Sequence, residues 1–429
     1  MVARELEEGR TLLVSGPASV TLIEGRAETL GTSIPIKSRV VIRGGRVLPF
    51  YASEKSLMDV VLGKNAESKE VFGDTIPNSW IESVQDILTL EHPCIVMVIG
   101  DTDSGKTTFC TFLANKALEK VNPVGIIDGD IGQADIGAPT TIGLGVIKSP
   151  ITDLFTVKTK NAYFVGITSP SDVAANVIHG MTLLKREATE LGLRFIIVNT
   201  DGWVQGDDAK SYKVEIAKAI KPNAVVGIQW DGELISILNA FEAEGVKIYS
   251  LKASVAVRER NKEERRGLRE LGYKKFLRGP RISFLPMNWI KIENSIISTG
   301  RPLLPERLGE FESLLGCRLA YGEETPHTLF LVLRRGGEVE AEDVVLRLAK
   351  SVRKKIRLAT QGDETGLLVS LLDDKRRFLG LGRLVEIDFK KLALRIATPI
   401  KARASIVQFG RIKLDRECGE VGISDTFAI

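Results

Sequence analysis

The chain has 429 residues and a net charge of +4, from 59 Lys and Arg against 55 Asp and Glu. Hydrophobic residues make up 44% and charged residues 27%, which excludes a disordered chain and provides apolar material for several packed domains. The prominent apolar run at 94–99 is far shorter than the roughly 20 residues that a membrane-spanning helix needs. We therefore expect a cytoplasmic protein without a membrane partner.

Residues 1–80 are predicted to form a β-rich domain. Glycine turns separate four β-forming segments, at 11–14, 19–23, 39–43 and 46–51. Short strands with such turns are typical of a small sandwich or barrel. A polar stretch at 63–70 follows, and a helix is predicted from about Asn78 to Leu90, leading into the next domain.

Between residues 81 and 300, apolar strands alternate with amphipathic helices. The predicted strands are 95–99, 124–128, 163–167, 195–198, 224–228 and 247–251. The predicted helices are 105–120, 172–191 and 207–220. This alternation predicts an α/β fold, in which a parallel sheet carries helices on both faces.

The last predicted domain, 301–429, returns to a β-rich pattern after Pro302 and Pro305. Its β-like segments are 329–333, 367–371, 384–387, 392–396 and 404–409. One helix is predicted near 341–350. The sequence thus predicts a central α/β domain between two β-rich domains.

Residues 100–107 read Gly-Asp-Thr-Asp-Ser-Gly-Lys-Thr and match the phosphate-binding pattern GxxxxGK[ST] in full. A strand precedes the motif and a helix follows it, which makes the central domain a P-loop NTPase-type domain. The glycines let backbone N–H groups converge on a phosphate chain at the helix N-terminus. We expect Lys106 to reach the β- and γ-phosphates and Thr107 to hold Mg²⁺. The predicted nucleotide-binding residues are Gly100, Asp101, Thr102, Asp103, Ser104, Gly105, Lys106, Thr107 and Thr108.

Two carboxylates follow the next predicted strand, Asp128 at its end and Asp130 just beyond it. The carboxyl end of a neighbouring strand faces the phosphate loop in this class of sheet. A carboxylate there can join the Mg²⁺ shell, a role predicted for both residues, or accept the proton of an attacking nucleophile. We assign the base role to Asp130 and expect Gln133 to orient a water or a substrate hydroxyl. A solvated turn is the alternative interpretation.

These motifs resemble those of the polynucleotide 5′-hydroxyl-kinase family, which includes kinases of RNA 3′-end processing, tRNA splicing and ribosomal-RNA processing; its archaeal members look closest. Residues 137–143, which follow the acidic motif at 130–133, are similar to the family's proline–glycine segment, and 164–170 to its strand ending in Thr/Ser-Pro. Residues 199–206 match the family's TxGW clasp, which grips the nucleic-acid end near the γ-phosphate. Asp201 departs from the usual residue of this clasp, which puts the contacts to the bound strand in question.

The segment from Arg258 to Arg266 is similar to the arginine-bearing lid that closes over ATP in this family. Between Arg258 and Arg281 there are ten basic and four acidic residues, and cations beside a phosphate loop neutralise charge on a transferring phosphoryl group. A solvated amphipathic helix is the alternative. The resemblance implies that the catalytic residues are Lys106, Asp130, Arg260 and Arg265. It also implies that the acceptor-binding residues are Gln133, Thr168, Ser169, Thr200, Gly202 and Trp203.

The resemblance implies an ATP-dependent kinase that phosphorylates the 5′-hydroxyl end of RNA, with DNA as a further acceptor. Mg²⁺ would be the cofactor, and proteins of RNA processing would be the partners. Two alternatives stay open at this point. One is a non-catalytic scaffold that binds ATP within an RNA-processing complex. The other is a different P-loop enzyme that acts on a small molecule.

Overall fold

The computed structural model describes residues 2–242, 245–256, 259–339 and 342–428. Within this part of the chain there are two compact units, one ending at Gly272 and the other beginning at Tyr273. None of the described helices is long and apolar enough to cross a membrane. The domain limits expected near residues 80 and 300 stay predictions, and the N-terminal strands share one hydrophobic core with the α/β sheet.

The first unit begins with two antiparallel sheets whose buried side chains belong to one hydrophobic core. Their strands are β1 (Val2–Leu6), β2 (Arg10–Ser15), β3 (Ala18–Glu24), β4 (Ala27–Thr29), β5 (Thr32–Ser33), β6 (Arg39–Ile42), β7 (Val47–Ala52), β8 (Ser56–Leu62) and β9 (Ser68–Phe72). The sheet orders are β1-β8-β3-β6 and β5-β4-β7-β2-β9. The polar stretch expected at 63–70 therefore contains the start of a strand. Polarity concealed β9, because this edge strand is held by backbone pairing with β2 rather than by burial.

A seven-stranded sheet forms the rest of the first unit. Its strands are β10 (Cys94–Gly100), β11 (Val124–Gly129), β12 (Thr141–Ile147), β13 (Thr159–Phe164), β14 (Phe195–Thr200), β15 (Ala224–Gln229) and β16 (Lys247–Lys252). The strand order is β13-β12-β11-β14-β10-β15-β16. The helices that begin in this unit are α1 (Asn78–Ile87), α2 (Lys106–Leu118), α3 (Ala174–Glu190), α4 (Asp207–Ile220), α5 (Ile235–Glu242) and α6 (Lys262–Phe276), the last of which continues past Gly272.

Alternate residues of the buried strands enter two hydrophobic clusters on opposite faces of this sheet. In β10, Val96 and Val98 join the cluster that contains α2, whereas Met97 and Ile99 join the cluster that contains α3 and α4. Helices therefore cover both faces, which confirms the predicted P-loop α/β class. The sheet is mixed, however, because β12 and β13 are antiparallel to their neighbours.

The antiparallel edge explains two differences from the sequence prediction. β12 was not predicted, and the strand expected at 163–167 lies at Thr159–Phe164. Only residues 130–140 connect β11 to β12, which is too short for the helical crossover that two parallel strands require. The chain therefore reverses direction at this edge.

Among its described residues, the second unit contains two sheets, two complete helices and the end of α6. Its strands are β17 (Arg281–Pro286), β18 (Lys291–Glu293), β19 (Arg301–Pro302), β20 (Leu319–Glu324), β21 (Thr328–Leu333), β22 (Lys355–Thr360), β23 (Leu367–Leu372), β24 (Phe378–Asp388), β25 (Ala393–Thr398), β26 (Ile406–Leu414) and β27 (Glu420–Ile423), with helices α7 (Pro305–Leu315) and α8 (Glu342–Val352). The helix expected near 341–350 corresponds to α8, although Ala341 lies outside the described residues. α7 was missed because Pro305 was interpreted as a break. A proline in the first helical turn costs no hydrogen bond.

Candidate active site

Three parallel strands of the central sheet end at the same edge, and their loops form the site. β14 lies between β10 and β11, with Asn199 opposite both Val98 and Asp128. The expectation that Asp128 lies on the strand directly beside the phosphate-loop strand is wrong, because consecutive strands of a parallel sheet need not be neighbours. The loop after β14 therefore follows the middle strand of the three.

The phosphate loop has the conformation that its glycines predict. β10 is buried throughout and ends at Gly100, and Gly105 precedes α2 with a φ of 99°. A Cβ at position 100 would lie 2.5 Å from Ser104 Oγ, so only glycine fits there. Lys106 is 5% exposed, and its Nζ donates to the Asp101 carbonyl at 2.7 Å. Burial lowers the pKa of Lys106.

A cleft opens beside this loop. Nine of the predicted site residues line it, namely Thr102, Asp103, Gly105, Lys106, Thr107, Thr108, Asp130, Gln133 and Arg260. Eight further lining residues were not predicted, namely Gly45, Arg46, Val47, Pro49, Thr75, Ile76, Ser254 and Ala256. Several of these belong to the N-terminal strands, which have no motif that suggests binding. A cation directly after Gly44 and Gly45 was the one local signal that pointed to them.

Unpaired polar atoms concentrate at this cleft. In the described part of the chain, seven buried polar side-chain atoms lack a hydrogen-bond partner. Four of the seven belong to residues in or beside the cleft, namely Thr75 Oγ1, Ser104 Oγ, Arg46 Nε and Arg265 Nε. A buried polar atom without a partner costs free energy, so this concentration indicates a site built for a polar ligand. A phosphate chain fits, since all four of these atoms can donate a hydrogen bond and none of them has a partner in the protein.

Asp128 is fully buried and organises residues 130–140, the loop after β11 that is called the acidic loop below. Its Oδ2 accepts from the N–H groups of Asp135 at 2.7 Å and Ile136 at 3.1 Å, and its Oδ1 accepts from Asn199 Nδ2 at 3.0 Å. Burial raises the pKa of Asp128 to about 7. These contacts give Asp128 a structural task, and its place among the Mg²⁺ ligands stays a prediction.

Asp130 lies at the cleft surface. Its Oδ1 accepts from the N–H groups of Gly132 at 3.2 Å and Gln133 at 2.9 Å, which orients the carboxyl group. Burial raises the pKa of Asp130, and the nearby Lys106 opposes this shift. The side chain of Gln133 is partly engaged, because its Nε2 donates to the carbonyls of Gly132 at 2.9 Å and Arg265 at 3.3 Å. Gln133 therefore connects the acidic loop to α6, the helix that carries Arg265.

The oxygen-bearing side chains at the cleft suit a metal ion whose coordination shell is completed by oxygen atoms of a bound phosphate ligand. Among the residues that the structure describes, no three His, Cys, Asp or Glu side chains gather as a metal site. Mg²⁺ in phosphoryl-transfer sites is commonly bound through one or two carboxylates, together with substrate phosphates and waters. Thr107 and Asp130, which both line the cleft, fit such a partial shell.

Both predicted lid arginines contact the phosphate loop through Asp103. Arg260 Nη1 lies 2.9 Å from Asp103 Oδ1, and Arg265 Nη2 lies 3.2 Å from Asp103 Oδ2. The Arg260 N–H also donates to Asp103 Oδ2 at 3.0 Å, and Arg260 Nε donates to the Gly45 carbonyl at 2.9 Å. Arg258, at the start of the predicted lid, lies outside the described residues.

A second set of ion pairs joins the N-terminal strands to the acidic loop. Arg46 and Arg43 both pair with Asp135, the latter at 2.7 Å, and Arg43 also pairs with Asp153. Burial pushes the pKa of Asp135 upward, but the combined attraction of the two arginines outweighs burial and lowers the pKa to about 2. Sequence analysis missed these residues, because isolated charges in distant segments show no spacing signal.

Gly202 of the clasp contacts the phosphate loop, and none of Thr200, Gly202 and Trp203 lines the cleft. A Cβ on Gly202 would lie 2.3 Å from Thr102 Oγ1, so the two loops touch. Thr200 is fully buried, and its hydroxyl donates to the Val98 carbonyl at 2.9 Å. Trp203 packs against the cluster that contains α3 and α4. The acceptor-binding roles of these residues stay predictions.

Thr168 and Ser169 lie beside the acidic loop rather than in the cleft. A Cβ on Gly132 would be 3.0 Å from the Thr168 carbonyl oxygen. Ser169 is exposed, and its hydroxyl lies 3.1 Å from that of Ser171. Their contact with an acceptor strand also stays a prediction.

Asp201 is buried within the clasp, since it is only 3% exposed. Its effect on the contacts to a bound strand stays a prediction. Its carboxylate pairs with the fully buried Lys213 at 2.8 Å and accepts from the Tyr212 hydroxyl at 2.6 Å. The physical reason is that a carboxylate in this position is withdrawn from water and requires a cationic partner.

Comparison with known proteins confirms the resemblance stated above. Residues 100–279 match the family model described as mRNA cleavage and polyadenylation factor CLP1 P-loop. The chain is 30% identical to a polyribonucleotide 5′-hydroxyl-kinase of Methanocaldococcus jannaschii, over 85% of this chain and 99% of that protein. It is 27% identical to a protein of the same name from Pyrococcus abyssi, over 85% of this chain and 100% of that protein.

A further relative and one solved structure are also similar to this chain. A protein named CLP1 homolog from Culex quinquefasciatus is 29% identical, over 67% of this chain and 72% of that protein. The structure of a wild-type Clp1p–Pcf11p complex matches with a TM-score of 0.66 at 12% identity, covering 96% of this chain and 97% of that chain. With the archaeal relatives matched over nearly their whole length, the chain belongs to the Clp1 family of P-loop proteins, whose archaeal relatives here are named polyribonucleotide 5′-hydroxyl-kinases.

Proposed function

We propose that this protein is an ATP-dependent polyribonucleotide 5′-hydroxyl-kinase. The observation that carries the proposal is one cleft lined by Lys106 and Thr107 of a phosphate loop, the carboxylate of Asp130 and the lid residue Arg260. This set combines a triphosphate site, a general base and a cation that stabilises the transferring phosphoryl group. Phosphoryl transfer to a hydroxyl group requires these three elements. The names of the archaeal relatives support RNA as the acceptor.

ATP is bound by residues 100–108, with Lys106 on its β- and γ-phosphates. Thr107, together with Asp130 and Asp128, would hold Mg²⁺, which would neutralise charge on these phosphates. The unpaired Ser104 hydroxyl and Arg46 Nε support this placement, because both are buried donors beside the cleft.

In the transfer itself, Asp130 accepts the proton of the RNA 5′-hydroxyl group. The hydroxyl oxygen forms a bond to the γ-phosphorus, and the bond between that phosphorus and the β,γ-bridging oxygen breaks in line, so that ADP leaves with the electron pair. Arg260 and Arg265 stabilise the charge on the transferring phosphoryl oxygens. These oxygens take over the place of the Asp103 carboxylate as the partner of the two arginines.

The acceptor strand lies along the clasp and the acidic loop. Gly202 and Trp203 hold the end of the strand, with Gln133, Thr168 and Ser169 beside it. Thr200, which is buried, supports this loop through its hydrogen bond to β10. Trp203 offers an aromatic face to a terminal base, and such stacking is worth about 1–3 kcal/mol per base. A protein of RNA processing as a binding partner completes the proposal, supported by the fold shared with Clp1p in its complex with Pcf11p.

The test is transfer of labelled γ-phosphate from ATP to a short 5′-hydroxyl RNA, a matched DNA and no acceptor, with and without Mg²⁺. Asp130→Asn is expected to reduce labelling at least about 100-fold, as loss of a general base commonly does. Lys106→Ala is expected to have an effect of the same size, because it removes the cation from the β- and γ-phosphates. Asp231→Asn, at an exposed aspartate outside the cleft, is the matched control and is expected to keep full activity.

Three outcomes contradict the proposal. Tight ATP binding without labelling of any end supports the non-catalytic scaffold. Label on a small hydroxyl compound but not on RNA supports a different P-loop enzyme. Label on DNA alone refutes RNA as the acceptor.

A further inference from the structure

A buried ion pair lies beneath the clasp, and no step of the proposed reaction uses it. Lys213, on α4, is fully buried, and its Nζ donates to Asp201 Oδ1 at 2.8 Å and to the Asp201 carbonyl at 2.9 Å. Withdrawing two charges from water costs several kcal/mol per ion, which good geometry and further hydrogen bonds must offset. An apolar pair would pack here at a lower cost, so the position of these charges calls for an explanation.

The remaining hydrogen bonds of the Asp201 carboxylate point to the clasp. The Trp203 N–H donates to Asp201 Oδ1 at 2.9 Å, and the Tyr212 hydroxyl donates to Oδ2 at 2.6 Å. The ring of Tyr212 lies 5.2 Å from that of Trp203, at an interplanar angle of 32°. One carboxylate therefore fixes the backbone of Trp203 directly and its ring through Tyr212.

The two neighbours of Asp201 in the chain connect this arrangement to the phosphate loop. Thr200 hydrogen-bonds to the Val98 carbonyl in β10, and Gly202 packs against Thr102. The clasp is thus held at the sheet by Thr200, at the phosphate loop by Gly202 and at α4 by Asp201. Lys213 holds Asp201 in place through its two hydrogen bonds.

We propose that Asp201, Lys213 and Tyr212 are positioning residues for the acceptor strand. They hold the loop of Trp203 in the shape that receives the 5′ end of RNA, while none of them touches ATP or RNA. This inference rests on the proposed function, because it assigns a task to residues behind the proposed acceptor site. It predicts that damage to the set weakens acceptor binding selectively.

Tyr212→Phe tests the inference with the least disturbance, since it removes only the hydroxyl and keeps the ring against Trp203. We expect the KM for 5′-hydroxyl RNA and the Kd for fluorescein-labelled RNA to rise about tenfold, as expected for loss of a hydrogen bond to a charged group. The Kd for ATP and the kcat at saturating RNA should stay within twofold of wild type. Tyr249→Phe is the matched control, because it removes a Tyr hydroxyl contact to Asp86 of 2.8 Å elsewhere in the same unit.

A second variant separates positioning from folding. Lys213→Met alone leaves Asp201 charged, buried and unpaired, which is expected to unfold the region. Lys213→Met with Asp201→Asn removes both charges and keeps similar volumes. We expect this double variant to unfold thermally near the wild-type temperature, yet to show the same selective loss of RNA affinity.

The inference is overturned if a folded Tyr212→Phe or double variant binds RNA as wild type does. It is also overturned if the affinity for ATP, the affinity for RNA and the kcat all fall together. Failure of the proposed function looks different, because wild type would then label no RNA. The anisotropy of labelled RNA still reports on acceptor binding in that case, and wild type that neither binds nor labels RNA refutes both.

Discussion

The ion pairs of Asp135 determine how firmly the N-terminal strands hold the acidic loop, and their contribution is measurable. Asp135 lies in the loop after β11, its side chain is 5% exposed, and it pairs with Arg43 and Arg46. Its ordinary pKa is 3.8, burial raises that value, and the two arginines together lower it to about 2. The folded protein thus favours the ionised carboxyl group more strongly than the unfolded chain does.

Asp135→Asn replaces this carboxylate with a neutral group of the same size, much as protonation would. A pKa difference between 3.8 and about 2 corresponds to about 2 kcal/mol, at about 1.4 kcal/mol per tenfold change in the equilibrium. We therefore expect Asp135→Asn to lower the free energy of unfolding by about 2 kcal/mol at pH 7. A carboxylate with a lowered pKa stabilises the protein above its unfolded-state pKa, and this contribution is lost as the pH falls from about 4 to about 2.

The assay is urea unfolding of wild type and Asp135→Asn at pH 7, 5, 4 and 3, followed by tryptophan fluorescence. The difference between the two proteins should shrink to roughly half by pH 3, while other groups that titrate affect both proteins alike. Glu119→Gln is the control, since Glu119 forms an exposed pair with Lys116 and should change stability by less than about 0.5 kcal/mol. A difference that stays constant from pH 7 to pH 3, or that is below about 0.5 kcal/mol at pH 7, refutes this account of Asp135.

Two further substitutions test the phosphate loop. Gly202→Ala places a methyl group 2.3 Å from Thr102 Oγ1 and 2.7 Å from its backbone nitrogen, so we expect the Kd for ATP to rise roughly tenfold by calorimetry. Gly309→Ala, whose methyl group meets no atom within 4 Å, should leave the Kd unchanged, and an unchanged Kd in Gly202→Ala would show that the two loops do not depend on each other. Asp103→Asn removes the carboxylate that pairs with Arg260 and Arg265. ATP should therefore bind several-fold more tightly at low salt, and this gain in affinity should fade at high salt. Weaker ATP binding by a folded Asp103→Asn variant would mean that this carboxylate prepares the lid rather than competing with phosphate.

The features that could be predicted from the sequence are those formed by residues adjacent in the chain. The loop 100–107 needs only its own residues and the flanking strand and helix, and α4 was predicted at 207–220, where the structure has Asp207–Ile220. Apolar periodicity likewise predicted the buried strands and the helices on both faces of the sheet. Such features depend on interactions within a few turns of chain, so a local pattern is sufficient to indicate them.

Residues with two compatible environments could not be assigned in the same way. Thr200 and Trp203 stand in a motif that suggests contact with a ligand, yet the hydroxyl of the first faces β10 and the ring of the second packs on Tyr212. Asp201 resembled a surface residue of a loop, because its partner Lys213 is twelve residues away on the next helix. A threonine, a tryptophan or an aspartate satisfies either environment, and only the packing decides.

The sequence by itself determined that this chain is a P-loop α/β protein with a triphosphate site around Lys106, since that chemistry depends on adjacent residues. Tertiary structure decided the rest: β14 lies between the phosphate loop strand and the acidic strand, Arg46 reaches the cleft from the N-terminal strands, and Asp201 turns inward to Lys213. These outcomes depend on strand order and on pairs of charges from distant segments. Burial, not spacing along the chain, selects such partners, because only a buried charge pays a large penalty for being left alone.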